Sequence, residues 1–125
     1  MLGNKEAIAT IAVRDLKAAR KFYEGVVGLE VVDAEEEGAV TYRSGSSSIL
    51  VYESQYAGGN KATAATWLVG DGLEGIVRSL KAKGVAFEHY ELPGMTRNGD
   101  VHVGGSLKAA WFNDPDGNIH ALISE

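Results

Sequence analysis

Two stretches of the chain repeat one order of apolar and polar positions. Ala7–Val13 reads as a short strand and Thr66–Val69 as another, with Val13 and Asp15 recurring as Val69 and Asp71 at an offset of 56. Gly28-Leu29-Glu30-Val31 recurs as Gly84-Val85-Ala86-Phe87 at the same offset. Between these landmarks Ala19, Phe22, Tyr23 and Val26 in the first half, and Leu73, Ile76, Val77 and Leu80 in the second, fall at i, i+3, i+4 and i+7. That spacing gathers one apolar face on a helix in each half. Asp15 and Asp71 stand where an N-cap carboxylate accepts the free amides of a first turn. Gly28 and Gly84 stand just past the helices, where a left-handed residue is wanted.

Three extended segments follow each helix. They are Glu30–Ala34, Ala39–Arg43 and Ser48–Glu53 in the first half, and Ala86–Glu91, Lys108–Asn113 and Asn118–Ile123 in the second. The last two of each set are joined by Ser44-Gly45-Ser46 and by Asp114-Pro115-Asp116-Gly117, both sound turn chemistry. Here the repeat offset becomes 70, matching Tyr42 with Phe112, Ile49 with Ile119 and Val51 with Ala121. The surplus of the second half falls at Leu92–Ser106, read as a glycine-rich loop. The chain therefore reads strand–helix–strand–strand–strand twice, as modules 1–57 and 62–125 around a linker with Gly58-Gly59-Asn60. A small sheet backed by one helix leaves its other face bare, so two such sheets are expected to curl around each other or pair between chains.

The bulk numbers narrow the function. A chain of 125 residues suits one domain, and 45% hydrophobic with 23% charged residues is ordinary globular composition. A net charge of −5 argues against a nucleic-acid partner. The absence of cysteine removes disulfides, thiolate metal sites and a cysteine nucleophile. No apolar run reaches the roughly 18 residues of a membrane span, and Met1-Leu2-Gly3-Asn4-Lys5 does not open a signal peptide, so a cytoplasmic location is expected. Phosphate-loop and nucleophile-elbow motifs are missing too, and Gly70-Asp71-Gly72 reads as a helix start.

Val13-Arg14-Asp15-Leu16, then Ala19, Phe22-Tyr23 and Gly28-Leu29-Glu30-Val31, closed by Ala110-Trp111-Phe112-Asn113-Asp114-Pro115-Asp116-Gly117-Asn118, resemble the glyoxalase/bleomycin resistance/dioxygenase (vicinal oxygen chelate) superfamily over essentially the whole chain. The resemblance implies an α+β fold of two βαβββ modules, in one domain over 1–125, whose curved mixed sheets enclose a cavity. A ferredoxin-like βαββαβ domain is the runner-up, disfavoured by the extra strand per module. In metal-dependent members of the superfamily, His, Gln or Glu ligands project from the first and last strands of each module. Carried onto this chain by the motifs and repeat offsets, those positions are Ile8, Val51, Ala64 and Ala121. All four are apolar and offer no lone pair. The resemblance thus points to a member without metal or other cofactor, which keeps the cavity, takes a small hydrophobic or cationic molecule and forms a homodimer.

Strand alternation puts Ile8, Thr10 and Ala12, Ile49, Val51 and Glu53, Ala64, Thr66 and Leu68, and Ile119, Ala121 and Ile123 on the cavity side. The expected ligand-binding residues are Thr10, Val51, Glu53, Thr66, His102, Trp111 and Ala121. The alternative is a lyase, isomerase or dioxygenase-type enzyme with a displaced or absent metal and acid/base chemistry from Glu53 or His102. Glu53 reads more readily as a solvated strand end, and His102, in the long loop, reads equally as a surface histidine. Trp111 either stacks on a planar ligand or packs under the second helix. His120 and Trp67 are expected to face a helix, Arg97 to meet an anionic ligand or water, and His89 with Glu91 and His102 to make a non-family metal site or none.

Overall fold

The computed structural model describes residues 1–124; Glu125, the end of the second expected module, lies outside the described residues. The chain divides into two compact units, 1–58 and 59–125. Both combine a sheet with helix, and the α+β class holds.

In the first unit, strand β1 (Ala9–Val13) leads through Asp15 into helix α1 (Leu16–Arg20). The Asp15 carboxylate accepts the Ala18 amide at 3.2 Å, occupying one of the donors a first turn leaves unpaired. The helix then widens into a π-helical turn, Lys21–Val26, where Val27 N–H donates to the Phe22 carbonyl at 2.9 Å. Gly28 closes the segment with φ +86°, in the left-handed region that favours glycine. Strands β2 (Glu30–Asp33), β3 (Ala39–Ser44) and β4 (Ser47–Glu53) complete a sheet in the order β1-β4-β3-β2, with β1 and β4 parallel and the rest antiparallel. Ile11, Val13, Val40, Tyr42, Ile49 and Val51 are buried with Ala19, Phe22 and Tyr23 of the helical segment.

The second unit repeats this plan with additions. Strand β5 (Thr63–Leu68) passes through a 3₁₀ turn, Gly70–Gly72, into helix α2 (Leu73–Ala82). Asp71 does not cap that helix: it sits inside the 3₁₀ turn, and the N-cap is Gly72, with no side-chain bond. At the other end Gly84 (φ +87°) and Val85 donate to the Lys81 and Leu80 carbonyls, a Schellman closure. The extended segment after α2 keeps only Phe87–Glu88 as strand β6. Residues 92–106 are not a plain loop. They hold a hairpin of β7 (Thr96–Asn98) and β8 (Val101–Gly104), turned by Gly99 at φ +64° and Asp100. Gly at the first central position matches the twist of a two-residue hairpin. Strands β9 (Leu107–Asn113) and β10 (Ile119–Ser124) follow, and the sheet runs β5-β10-β9-β8-β7 with β6 on β9. Leu73, Val77 and Leu80 of α2 are buried, as are Ala110, Phe112, His120 and Leu122 on the helix side of the sheet.

One residue separates the two closing hairpins. Tyr42 faces Ile49, but Phe112 faces His120, so the Asp114–Gly117 turn is one residue longer than its counterpart. Along the first strands the offset of 56 persists, since Ala9 lies beside Ile49 and Ala65 beside His120. The offset of 70 therefore holds for β3 and β9 and fails for β4 and β10. Ala121 corresponds to Leu50, not to Val51. A slip of one residue in a strand exchanges its two faces.

Candidate functional site

The register divides the expected site residues into two groups. In the first sheet Val51 lies beside Ile11 and opposite Val40, fully buried on the helix side. Glu53 lies beside Val13 on that same side, and its carboxylate accepts the Leu16 amide at 3.4 Å, at the start of α1. Neither Val51 nor Glu53 faces outward with Thr10, because the shorter hairpin reverses the parity of β4 relative to β10. The open face of this sheet is built instead from Thr10 and Ala12 beside Leu50 and Tyr52, with Thr41 opposite Leu50. Ile8 and Tyr52 are 52% and 37% exposed, so this face shows apolar surface to solvent.

In the second sheet the expected residues meet. Ala121 lies beside Thr66 and opposite Trp111; Ile123 lies opposite Ala109; and Ala109 lies opposite His102. Directly opposed residues share a face, so Thr66, Ala121, Trp111 and His102 stand together on the face away from α2. Trp111 thus does not pack under the helix. Trp67, on the other face, packs against Phe112 (6.0 Å between ring centroids) and His120 (5.3 Å). His120 is fully buried there, and that burial pushes its imidazole down to about 4, against a smaller upward pull from Asp114.

His102 is the centre of an aromatic cluster. Its ring is edge-to-face with Trp111 at 4.9 Å, and the Tyr90 and His89 rings lie 6.1 and 6.5 Å away. The side chain is 1% exposed. Its Nε2 accepts the backbone N–H of Tyr90 at 2.9 Å, and its Nδ1 has no hydrogen-bond partner among the described residues. Burial, helped by the charge of Glu88, raises the Tyr90 phenol above its ordinary value. His89 turns elsewhere: its Nε2 meets Asp100 at 2.7 Å, and Lys81 of α2 meets the other carboxylate oxygen at 2.8 Å. Hydrogen bonds from Lys81 and then His89 hold the Asp100 carboxyl below its usual range. This trio ties the β7–β8 turn to α2. His89 with Glu91 and His102 does not assemble into a metal site, and among the described residues no group of three or more His, Asp or Glu stands close enough to hold an ion.

The four positions where the resemblance puts metal ligands, with the register corrected, are Ile8, just before β1, and Leu50, Ala64 and Ala121 in the strands. Hydrocarbon side chains fit no metal ion. Tyr90, Glu88, Leu50 and Tyr52 were not among the expected site residues; the Gly99-Asp100 pair was the available signal for the hairpin that brings His102 to Tyr90.

The profile of the Glyoxalase/Bleomycin resistance protein/Dioxygenase superfamily matches residues 7–122. The chain belongs to that superfamily. Solved structures with the same fold include the glyoxalase family protein from Enterococcus faecalis, 18% identical, with a TM-score of 0.74 over 99% of this chain and 100% of that one. The fosfomycin resistance protein FosX from Listeria monocytogenes, solved with Mn(II) and sulfate, is 15% identical, with a TM-score of 0.74 over 97% and 90%. An integron cassette protein from the Halifax Harbour sewage outfall metagenome is 15% identical, with a TM-score of 0.72 over 97% and 99%. At such identities the likeness carries superfamily architecture and no activity. No curated protein matches the chain. Among the described residues no helix is long and apolar enough to cross a membrane.

Proposed function

We propose that this superfamily member is a metal-independent binding protein that holds a small, largely apolar molecule on the open face of its second sheet. The observation that carries the reading is the convergence of Thr66, Ala121, Trp111 and His102 on one face, with a buried His102 nitrogen left without a partner. An apolar floor with few fixed polar points is how ligand sites are usually built. Hydrocarbon at the four ligand positions supports the metal-free part. The chain is read as one domain acting in the cytoplasm as a homodimer, because Ile8, Tyr52 and Leu68 leave apolar surface exposed on the open faces. Thr10 lies on the open face of the first sheet and is not part of this surface; Val51 and Glu53, on the helix side of that sheet, are withdrawn with it.

Chelator-stripped protein titrated with a panel of aromatic and alicyclic compounds, followed by Trp fluorescence and thermal shift, tests this. Saturable binding unaffected by chelator and abolished by Trp111→Ala is expected. Binding or stability that appears only with a stoichiometric divalent metal would sink it. A second reading, a metal-free acid/base enzyme, draws on the same unpartnered His102 nitrogen. It predicts a turnover lost in His102→Gln, with Glu53→Gln unaffected. Light scattering at micromolar concentration tests the dimer, and a monomer mass would refute it.

A further inference from the structure

We infer that the molecule held on this face is an organic anion: a flat apolar body carrying a carboxylate. The inference rests on the binding reading above and narrows it.

A backbone N–H is only a donor. When the Tyr90 amide points at His102 Nε2, that nitrogen must present its lone pair, and the neutral imidazole must carry its hydrogen on Nδ1. The atom left without a partner is therefore a donor, buried and held in one orientation. A buried donor without an acceptor is costly, and an incoming oxygen removes that cost.

A second observation points the same way. Arg97 of β7 lies directly opposite His102 of β8, on the same face. One guanidinium N–H is taken by the Gly99 carbonyl at 2.8 Å, and no acidic side chain pairs with it among the described residues. A neutral N–H donor beside a cation with spare donors suits the two oxygens of a carboxylate.

The neighbouring surface suits a flat apolar body. Trp111 stands between two small residues, Ala109 two positions before it and Ala121 directly opposite, so its indole is flanked by low ground. Glu88, directly opposite Trp111, is the one opposing charge in this ladder. A ligand's carboxylate must sit toward β7 and β8, away from it.

The test uses the full chain and three probes with one aromatic body: 2-naphthoate, 2-naphthylmethanol and 2-naphthylmethylammonium, titrated by calorimetry. The carboxylate is expected to bind about ten-fold tighter than either analogue, the size of one hydrogen bond to a charged group. His102→Gln keeps an acceptor for the Tyr90 amide but has no Nδ1–H; it should bring the carboxylate down to the level of the alcohol. Arg97→Gln, at an exposed position, should cost the carboxylate several-fold and leave the alcohol unchanged, and Glu88→Gln should tighten the carboxylate. If the alcohol or the ammonium binds as tightly as the carboxylate, the inference is overturned while the binding reading stands. If none of the three binds, the binding reading falls and takes the inference with it.

Discussion

The two units are built on one plan and differ in what their open faces carry. The first sheet sets Thr10, Ala12, Leu50 and Tyr52 outward, a plain surface without a buried polar group. The second sets Thr66, Ala121 and Trp111 outward and adds His102 and Arg97. Both additions come from the β7–β8 hairpin, for which the first unit has no counterpart. The scaffold strands are thus shared, and the chemistry comes with the insertion. Loops and insertions on a rigid sheet commonly take this division of labour. The single extra residue in the Asp114–Gly117 turn matters as much: it decides which side chain of the last strand looks outward.

That register is the part of the comparison easiest to break, and a pair of adjacent substitutions does it. Val51→Glu places a carboxylate among Ile11 and Val40 on the helix side, where the ladder has no cation to meet it. A loss of about 4 kcal/mol or more is expected, enough to unfold a domain of this size in part or whole. Leu50→Glu, one residue earlier, places the same group on the half-exposed open face and should cost about 1 kcal/mol or less. Denaturant melts of the two variants check this. Equal losses, or a reversal, would restore Val51 to the outward face.

The second difference lies on the helix side. Where the first sheet buries Ile49, the second buries His120, opposite Phe112 and beside the Trp67 ring. Its folded-state value is lowered to about 4 by burial, from 6.5 for an ordinary imidazole. The unfolded chain therefore takes up a proton that the folded chain refuses. Stability is fully present above about pH 6.5 and is lost as pH falls toward 4, by about 3 kcal/mol. His120→Leu should flatten stability across that window. A variant with the same acid slope as the parent would move the cause to another group.

The parts readable from sequence were those governed by short-range pattern. Phe22 and Tyr23, and Leu73, Val77 and Leu80, mark their helices because 3.6-residue spacing gathers them on one side within three turns. The outward face of β4 was not readable, since parity depends on counting through a turn whose length differs between the halves. Strands as short as Thr96–Asn98 and Val101–Gly104 show too few alternations to separate them from a glycine-rich loop. The amide of Tyr90 reaching His102 is a tertiary contact across 12 residues, and no local spacing encodes it.

Tyr42 and Phe112, equivalent under the repeat, sharpen the comparison at a smaller scale. The Tyr42 hydroxyl donates to Glu24 at 2.8 Å, and Glu24 also binds Arg20 at 2.7 Å. Burial first, then the bond to Glu24, pushes the phenol well above its usual range, so it is a donor at neutral pH. The widened turn of Lys21–Val26 contains the Glu24 that meets it. Tyr42→Phe keeps the ring and removes one bond to a carboxylate, for an expected loss of about 1–2 kcal/mol in denaturant melts. No loss would mean that water serves Glu24 equally well.

The smallest contrast is between the two helix starts. Asp15 accepts the Ala18 amide from an extended N-cap conformation, whereas Asp71 sits within a 3₁₀ turn and the N-cap of α2 is Gly72, without a side-chain bond. Asp15→Ala should lose about 1 kcal/mol, the usual cost of an N-cap carboxylate, while Asp71→Ala should stay within about 0.5 kcal/mol of the parent. Both residues sit near a helix N-terminus, so a general preference of that end for negative charge would act on both. A difference between the variants in chemical denaturation therefore measures the capping bond alone. If the two losses match, the field of the helix end outweighs the bond, and the repeat is more symmetric in energy than in geometry.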